Sequence, residues 1–116
     1  MNTILKNTVI CITGASSGIG AACAFKFAEQ GAKLLLIARR SEKLNEVKNA
    51  ILSAYPDTNI LILQCDVRHQ NEVSLLFESL SDDWKYINVL INNAGLSRGL
   101  EKIQDLLLLL WQSNFT

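Results

Sequence analysis

Residues 13–20 read TGASSGIG, and this segment is the strongest indication of the fold. It follows an apolar run, VICI at residues 9–12, and precedes an alanine-rich stretch of helical character. A strand, a glycine-rich turn and a helix in this order form a site for an anion. The first turn of a helix has unpaired N–H groups and a partial positive charge. Glycines let the backbone turn sharply and approach a ligand closely, because they have no Cβ atom.

The composition is that of one globular domain, residues 1–116. Of the 116 residues, 49% are hydrophobic and 19% are charged, and eleven basic residues balance eleven acidic ones. We therefore expect a single domain and no electrostatic surface for nucleic acid. The amino-terminal residues lack the pattern of a secretory signal, and no apolar run approaches the ~20 residues needed to span a bilayer. We expect a cytoplasmic protein that does not contact a membrane.

The cysteines and the histidine do not predict a metal site. Cys11, Cys23 and Cys65 are scattered, and His69 is the only histidine in the sequence. Two of the cysteines fall in apolar, strand-like runs and one falls in the first helical stretch. We interpret all three as buried, reduced, structural thiols. We interpret His69 as a residue of a surface loop.

Apolar runs alternate with helical periods along the chain. The pattern predicts strands at residues 8–13, 33–38, 59–64 and 87–91, and helices at 17–30, from 41 and from about 71. Gly31 is expected to end the first helix, and Ser41 to cap the second. The strands are continuous apolar runs, as in parallel sheets that helices cover on both faces. The order β-α-β-α-β-α-β therefore predicts an α/β fold with a doubly wound, Rossmann-type parallel sheet.

The glycines of the first turn are spaced G-x-x-x-G-x-G, at Gly14, Gly18 and Gly20. A dinucleotide fingerprint spaced G-x-G-x-x-G differs in detail but has the same physical basis. A phosphate loop of the Walker type is excluded, because no Gly-Lys-Ser or Gly-Lys-Thr follows. The hydroxyl of Ser16 could also reach a phosphate.

Two arginines, Arg39 and Arg40, follow the second predicted strand, and no carboxylate occurs before Glu42. At this position in a dinucleotide fold, a carboxylate binds the ribose 2′-hydroxyl of NAD, whereas an arginine binds the 2′-phosphate of NADP. Guanidinium groups hold phosphate through a bidentate fork. The pattern favours NADP over NAD, and the alternative is a pair of solvated arginines at a strand end.

Polar residues also follow the third and fourth predicted strands. Asp66 and Val67 come after the third, and Asn92-Asn93-Ala94-Gly95 comes after the fourth. Open α/β sheets bind ligands at the carboxyl ends of their strands, and Asp66 could accept a hydrogen bond from an adenine amino group. The alternative for Asp66 is an aspartate that caps a helix, and the alternative for Asn92 and Asn93 is a turn with Asx geometry.

The motifs TGASSGIG, ARR, DV and NNAG resemble those of the short-chain dehydrogenase/reductase family, in the same order and at similar spacing. Residues 76–104 are most similar to the NADP-dependent 3-hydroxy acid (serine-type) dehydrogenases. The resemblance covers about residues 7–104. It implies a cofactor site formed by Gly14, Ser16, Gly18, Ile19, Gly20, Arg39, Arg40, Asp66, Val67, Asn92, Ala94 and Gly95.

The chain departs from that family in length and in its catalytic residues. Family members run to about 250 residues in one domain, and this chain has 116. The resemblance implies catalysis by a tyrosine with a lysine four positions later. Tyr55 is followed at that distance by Asn59, and Tyr86 by Leu90, so we expect both tyrosines to be structural and the chain to contain no catalytic residue. Five leucines at 106–110 would place apolar surface on all sides of a helix.

These observations predict the cofactor-binding half of an NADP-dependent oxidoreductase that acts on a secondary alcohol or ketone, such as a 3-hydroxy acid. We expect a domain truncated after about four strands, and no turnover by this chain alone. The alternatives are a non-catalytic NADP-binding module and a non-functional remnant. The resemblance implies homo-oligomers for full-length family members, without implying one for this chain.

Overall fold

The computed structural model describes residues 5–16, 18–66 and 69–91. The elements, in chain order, are β1 Val9–Thr13, α1 Gly18–Glu29, β2 Lys33–Ala38, α2 Ser41–Ala54, β3 Ile60–Gln64, α3 Gln70–Glu78, α4 Asp82–Lys85 and β4 Val89–Ile91. The predicted alternation of strands and helices is confirmed. The leucine run at residues 106–110 lies outside the described residues.

The described strands form one parallel sheet in the order β3-β2-β1-β4. Cys11 of β1 pairs with Leu35 of β2 and with Leu90 of β4, and Leu35 pairs in turn with Leu61 of β3. The chain thus first builds the sheet in one direction and then returns to the other side of β1, which is the doubly wound topology that the sequence predicts. All carboxyl ends of the strands lie at the same edge.

Helices cover both faces of the sheet, and each face has its own apolar core. On one face, Ile10, Ile12 and Leu34 pack against α1 and α2. On the other face, Cys11 and Leu35 pack with α3 and α4 through Phe77 and other side chains. The central strands β1 and β2 are buried on both faces, as predicted from their continuous apolar runs. The outer strands are less covered, and β3 and β4 are only partly buried.

Small residues let α1 lie close to the sheet. Its buried positions are Gly20, Ala24 and Ala28, which recur every fourth residue and so form one stripe. The helix ends at Glu29, one residue before the predicted end, and Gly31 follows it, as predicted, with a left-handed φ of 86°. The N–H of Ala32 donates to the carbonyl of Phe27 at 3.1 Å, which closes the last turn.

Two boundary predictions are wrong for identifiable reasons. Ser41 is not the N-cap of α2 but its first residue, and Arg40 occupies the cap with extended backbone and no capping side-chain bond. The fourth strand begins at Val89 rather than at residue 87. Asn88 precedes it and makes two bonds to Val9: its backbone N–H donates to the carbonyl of Val9 at 2.9 Å, and its side-chain Oδ1 accepts from Val9 N at 2.8 Å. The N–H of Val9 is thus bonded to a side-chain oxygen of Asn88 rather than to a backbone carbonyl of β4.

Helix α4 was not predicted, because a single turn is too short to show a helical period. Its Trp84 is buried in the core beneath β2. Lys33, the first residue of β2, places its Nζ 4.8 Å from the centre of the Trp84 ring and donates to the carbonyl of Asp83 at 2.9 Å. This cation–π contact and hydrogen bond tie α4 to the amino end of the sheet.

The cysteines differ in burial more than expected. Cys11 and Cys65 are buried, as predicted, but Cys23 on α1 is only half-buried. Burial raises the pKa of the Cys11 thiol to about 12. His69 is exposed at the N-cap position of α3, which agrees with its interpretation as a surface residue.

Candidate functional site

The turn between β1 and α1 requires glycine at two positions. Gly14 has a φ of 62° and Gly18 a φ of 58°, a conformation that costs other residues about 1–2 kcal/mol. Between them, the N–H of the buried Ala15 donates to the carbonyl of Ile37 at 3.2 Å. This bond fixes the turn against the end of β2.

Open space lies beside the turn at Gly18. A Cβ atom added there would meet no heavy atom within 4 Å. Gly18 is also the first residue of α1, where the helix has unpaired N–H groups and a partial positive charge. The turn therefore offers room and favourable electrostatics to an anion.

Other residues of the predicted cofactor segment have distinct environments. Ile19 lies in the first turn of α1 with 72% of its surface exposed, which is unusual for a large apolar side chain. Ser16 is half-buried within the turn. Gly20 is buried with the small-residue stripe of α1, so its role in this structure is close packing of helix and sheet.

Arg39 and Arg40 lie at the same edge of the sheet as the glycine turn. Thr13 of β1 pairs with Ile37 of β2, so these two strands end at nearly the same level of the sheet. Both arginines are exposed and occupy the two-residue link between β2 and α2. The structure therefore brings the predicted phosphate-binding turn and the predicted 2′-phosphate ligands together.

The end of β3 continues this row of residues. Asp66 is half-buried just beyond the strand, and its carbonyl accepts from the N–H of His69 at 2.9 Å. Arg39 and Asp66 both line an open cleft of about 740 Å³ between the end of β3 and α3. The remaining lining residues are Leu63, Gln64, Cys65, His69, Glu72, Leu75, Leu76 and Ser79.

The cleft combines an apolar wall with charged groups. His69 Nδ1 lies 3.4 Å from Glu72 Oε2, and both side chains are exposed. Burial raises the pKa of the Cys65 thiol, and the negative charges of Glu72 and Asp66 raise it further. The thiol is therefore protonated at neutral pH, which makes it a poor nucleophile and a poor metal ligand.

A side-chain hydrogen bond links the ends of β1 and β4, on the side of the sheet away from β3. Thr13 Oγ1 donates to the carbonyl of Ile91 at 3.4 Å, which links the carboxyl ends of β1 and β4. The predicted site residues Asn92, Ala94 and Gly95 follow Ile91 and lie outside the described residues, as does Val67. The structure thus places eight of the twelve predicted cofactor residues: Gly14, Ser16, Gly18, Ile19, Gly20, Arg39, Arg40 and Asp66.

Gln64, at the carboxyl end of the outer strand β3, was not predicted as a site residue. Its Nε2 donates to the carbonyl of Arg39 at 3.0 Å. A polar residue that closes the apolar strand ILIL is a signal that could have found it.

The tyrosines lie elsewhere. Tyr55 precedes β3 and Tyr86 precedes β4, so both are near the amino ends of the strands, away from the site.

The described residues form a Rossmann-type α/β fold with a parallel sheet. The sequence model of the family described as short chain dehydrogenase matches residues 8–116, and the chain belongs to that family. Members of the family are oxidoreductases that bind a nicotinamide cofactor.

Individual relatives agree with this assignment. An uncharacterized oxidoreductase of Mycobacterium tuberculosis is 44% identical over 99 residues, which are 85% of this chain and 39% of that protein. An NADP-dependent 3-hydroxy acid dehydrogenase of Schizosaccharomyces pombe is 42% identical over 103 residues, 88% of this chain and 39% of that protein. The crystal structure of serine dehydrogenase from Escherichia coli superposes with a TM-score of 0.79 at 27% identity, covering 89% of this chain and 56% of that one. The chain thus spans 39% of the length of these two sequence relatives.

Two kinds of feature are absent from the residues that the structure describes. Among them, no helix has the length and apolar character to cross a membrane. Within the same part of the chain, no group of three or more His, Cys, Asp or Glu side chains could hold a metal ion.

Proposed function

We propose that this chain binds NADP along the carboxyl edge of its sheet, as the cofactor-binding half of a short-chain dehydrogenase. The observation that carries the proposal is the placement of two exposed arginines, Arg39 and Arg40, at the edge occupied by the glycine turn. In this fold the pyrophosphate of a dinucleotide lies at the first helix and its adenosine ribose near the end of the second strand.

The residues present fit this cofactor. Gly14 and Gly18 would hold the pyrophosphate at the amino end of α1, in the open space beside Gly18. Arg39 would hold the 2′-phosphate through its guanidinium fork, with Arg40 beside it. Asp66 would accept from the adenine amino group at the mouth of the cleft.

The remaining residues of the site complete the proposal. Ile19 would cover one face of the cofactor with its exposed side chain, and Ser16 would donate to a phosphate oxygen. Val67 would flank the adenine, and Asn92, Ala94 and Gly95 would line the part of the cofactor site that follows β4. NAD is the less favoured cofactor, because Arg39 occupies the position where a carboxylate would bind a free 2′-hydroxyl.

The reaction we propose for the whole protein is the interconversion of a secondary alcohol and a ketone, with a 3-hydroxy acid as substrate. A bound nicotinamide supplies the hydride chemistry. The substrate class follows the named activity of the Schizosaccharomyces pombe relative, to which this chain is 42% identical. We expect binding without turnover from this stretch alone, because neither of its tyrosines has a lysine four positions later. An assay with NADP and a panel of hydroxy acids tests this; turnover above background contradicts it.

Calorimetric titration with NADP and NAD tests the cofactor assignment. We expect the wild-type chain to bind NADP about tenfold or more tightly than NAD, and Arg39→Asp to lose that preference. Lys6→Asp is the matched control, because it makes the same charge change at an exposed residue before β1, near the opposite edge. Unchanged discrimination in Arg39→Asp, or an equal loss in both variants, would contradict the proposal.

A further inference from the structure

Gln64 lies where the pairing between β2 and β3 ends. The last backbone bond between the two segments runs from Cys65 N to the carbonyl of Ala38 at 3.0 Å. Beyond Ala38 the chain leaves the sheet and crosses to α2 through Arg39 and Arg40. The backbone of this link therefore determines the positions from which the side chains of both arginines extend.

The two residues of the link are held differently. The carbonyl of Arg40 accepts from Leu44 N at 3.2 Å, so Arg40 belongs to the first turn of α2. The carbonyl of Arg39 accepts instead from the side chain of Gln64, at 3.0 Å. The Gln64 amide thus extends the connection between β2 and β3 by one residue, to the residue that carries the guanidinium.

We infer that Gln64 is a positioning residue for Arg39 and thereby contributes to discrimination between NADP and NAD. The inference rests on the proposed function. A guanidinium binds phosphate well only when its planar fork is aligned, so a free link would lose affinity for the 2′-phosphate. Gln64 holds the backbone of that link and does not itself need to contact the phosphate.

Because Gln64 is exposed, a role in positioning Arg39 can be distinguished from a role in folding stability. Its side-chain bond lies at the surface, where a single hydrogen bond adds little to folding stability. Removing the bond is therefore expected to leave the folded chain intact and to affect the ligand that needs an aligned Arg39. NAD lacks the 2′-phosphate, so its binding is expected to be insensitive.

The test variant is Gln64→Met, which keeps an unbranched side chain of similar length but removes the donor. We expect NADP affinity to fall about three- to tenfold and NAD affinity to stay within about twofold, measured by calorimetry. Ser53→Ala is the control. It removes another exposed side-chain bond of 3.0 Å, from Ser53 Oγ to the carbonyl of Asn49, in the last turns of α2 and away from the link.

A double-mutant cycle with Arg39→Ala decides whether Gln64 acts through Arg39. In the Arg39→Ala background, Gln64→Met is expected to cause no further loss of NADP affinity. An equal loss for both nucleotides, no loss for NADP, or an additive loss in the cycle overturns the inference. If Arg39→Ala itself leaves NADP binding unchanged, the proposed function fails as well; if only Gln64→Met has no effect, the proposed function stands.

Discussion

Replacement of Gly18 by alanine separates backbone strain from ligand binding. At this position an added Cβ meets no heavy atom within 4 Å, so the folded chain has room for it. The cost to stability comes from the φ of 58°, which is expected to lower the free energy of unfolding by about 1–2 kcal/mol. Urea denaturation followed by circular dichroism measures this change.

The same substitution is expected to weaken NADP binding by about tenfold or more, because the methyl group occupies the space in which we place the pyrophosphate. Gly31→Ala provides the matched control. Gly31 also has a positive φ, of 86°, but it lies between α1 and β2, at the opposite edge of the sheet. We expect a similar loss of stability and unchanged nucleotide binding in this variant.

The comparison between the two variants can fail in two ways. If Gly18→Ala and Gly31→Ala bind NADP equally well, the pyrophosphate does not lie at the first turn of α1. If Gly18→Ala leaves the free energy of unfolding unchanged, the turn does not hold the left-handed conformation described here. Calorimetry and denaturation on the same preparations distinguish these outcomes.

The core, the pairing of β4 and a buried thiol give further predictions. Phe77→Ala is expected to cost about 3–5 kcal/mol, measured by urea denaturation, because the ring is 1% exposed between α3 and the sheet. Asn88→Ala is expected to cost about 1 kcal/mol in the same assay, because Val9 N loses its 2.8 Å partner. For Cys11, burial raises the pKa from 9.0 to about 12, so the folded chain keeps a proton that the unfolded chain releases. The free energy of unfolding is therefore expected to fall as pH rises from 9 towards 12, and denaturation at several pH values should show a shallower fall in Cys11→Ala.

The sequence predicted the sheet well because the signals for its strands are local. The runs VICIT and KLLLIA are apolar without alternation, and both strands are central and buried on both faces. The start of β4 was predicted two residues too early, at a place where a side-chain amide supplies one of the two bonds to β1. Asn88 pairs with Val9 through its amide, and nothing in a propensity scale distinguishes that asparagine from one in a turn.

The sharp turn between β1 and α1 was predicted for a similar reason. Gly14 and Gly18 have positive φ angles there, and glycine is the residue that adopts such backbone without strain. Gln64 was missed because its importance depends on which strand lies next to β2. That neighbour is fixed by the tertiary pairing of Ala38 with Gln64, which no pattern within either strand encodes.

The contact of Lys33 with Trp84 and Asp83 lies at the end of the sheet that no candidate ligand residue occupies. Strand β2 thus begins at the contact that holds α4 to the sheet and ends beside Arg39 and Arg40, the residues that we propose to bind the 2′-phosphate. A library of random variants scored for both melting and nucleotide retention should accordingly divide into two populations. Changes near Lys33 are expected to lower only the melting temperature, and changes near Arg39 only the retention of nucleotide.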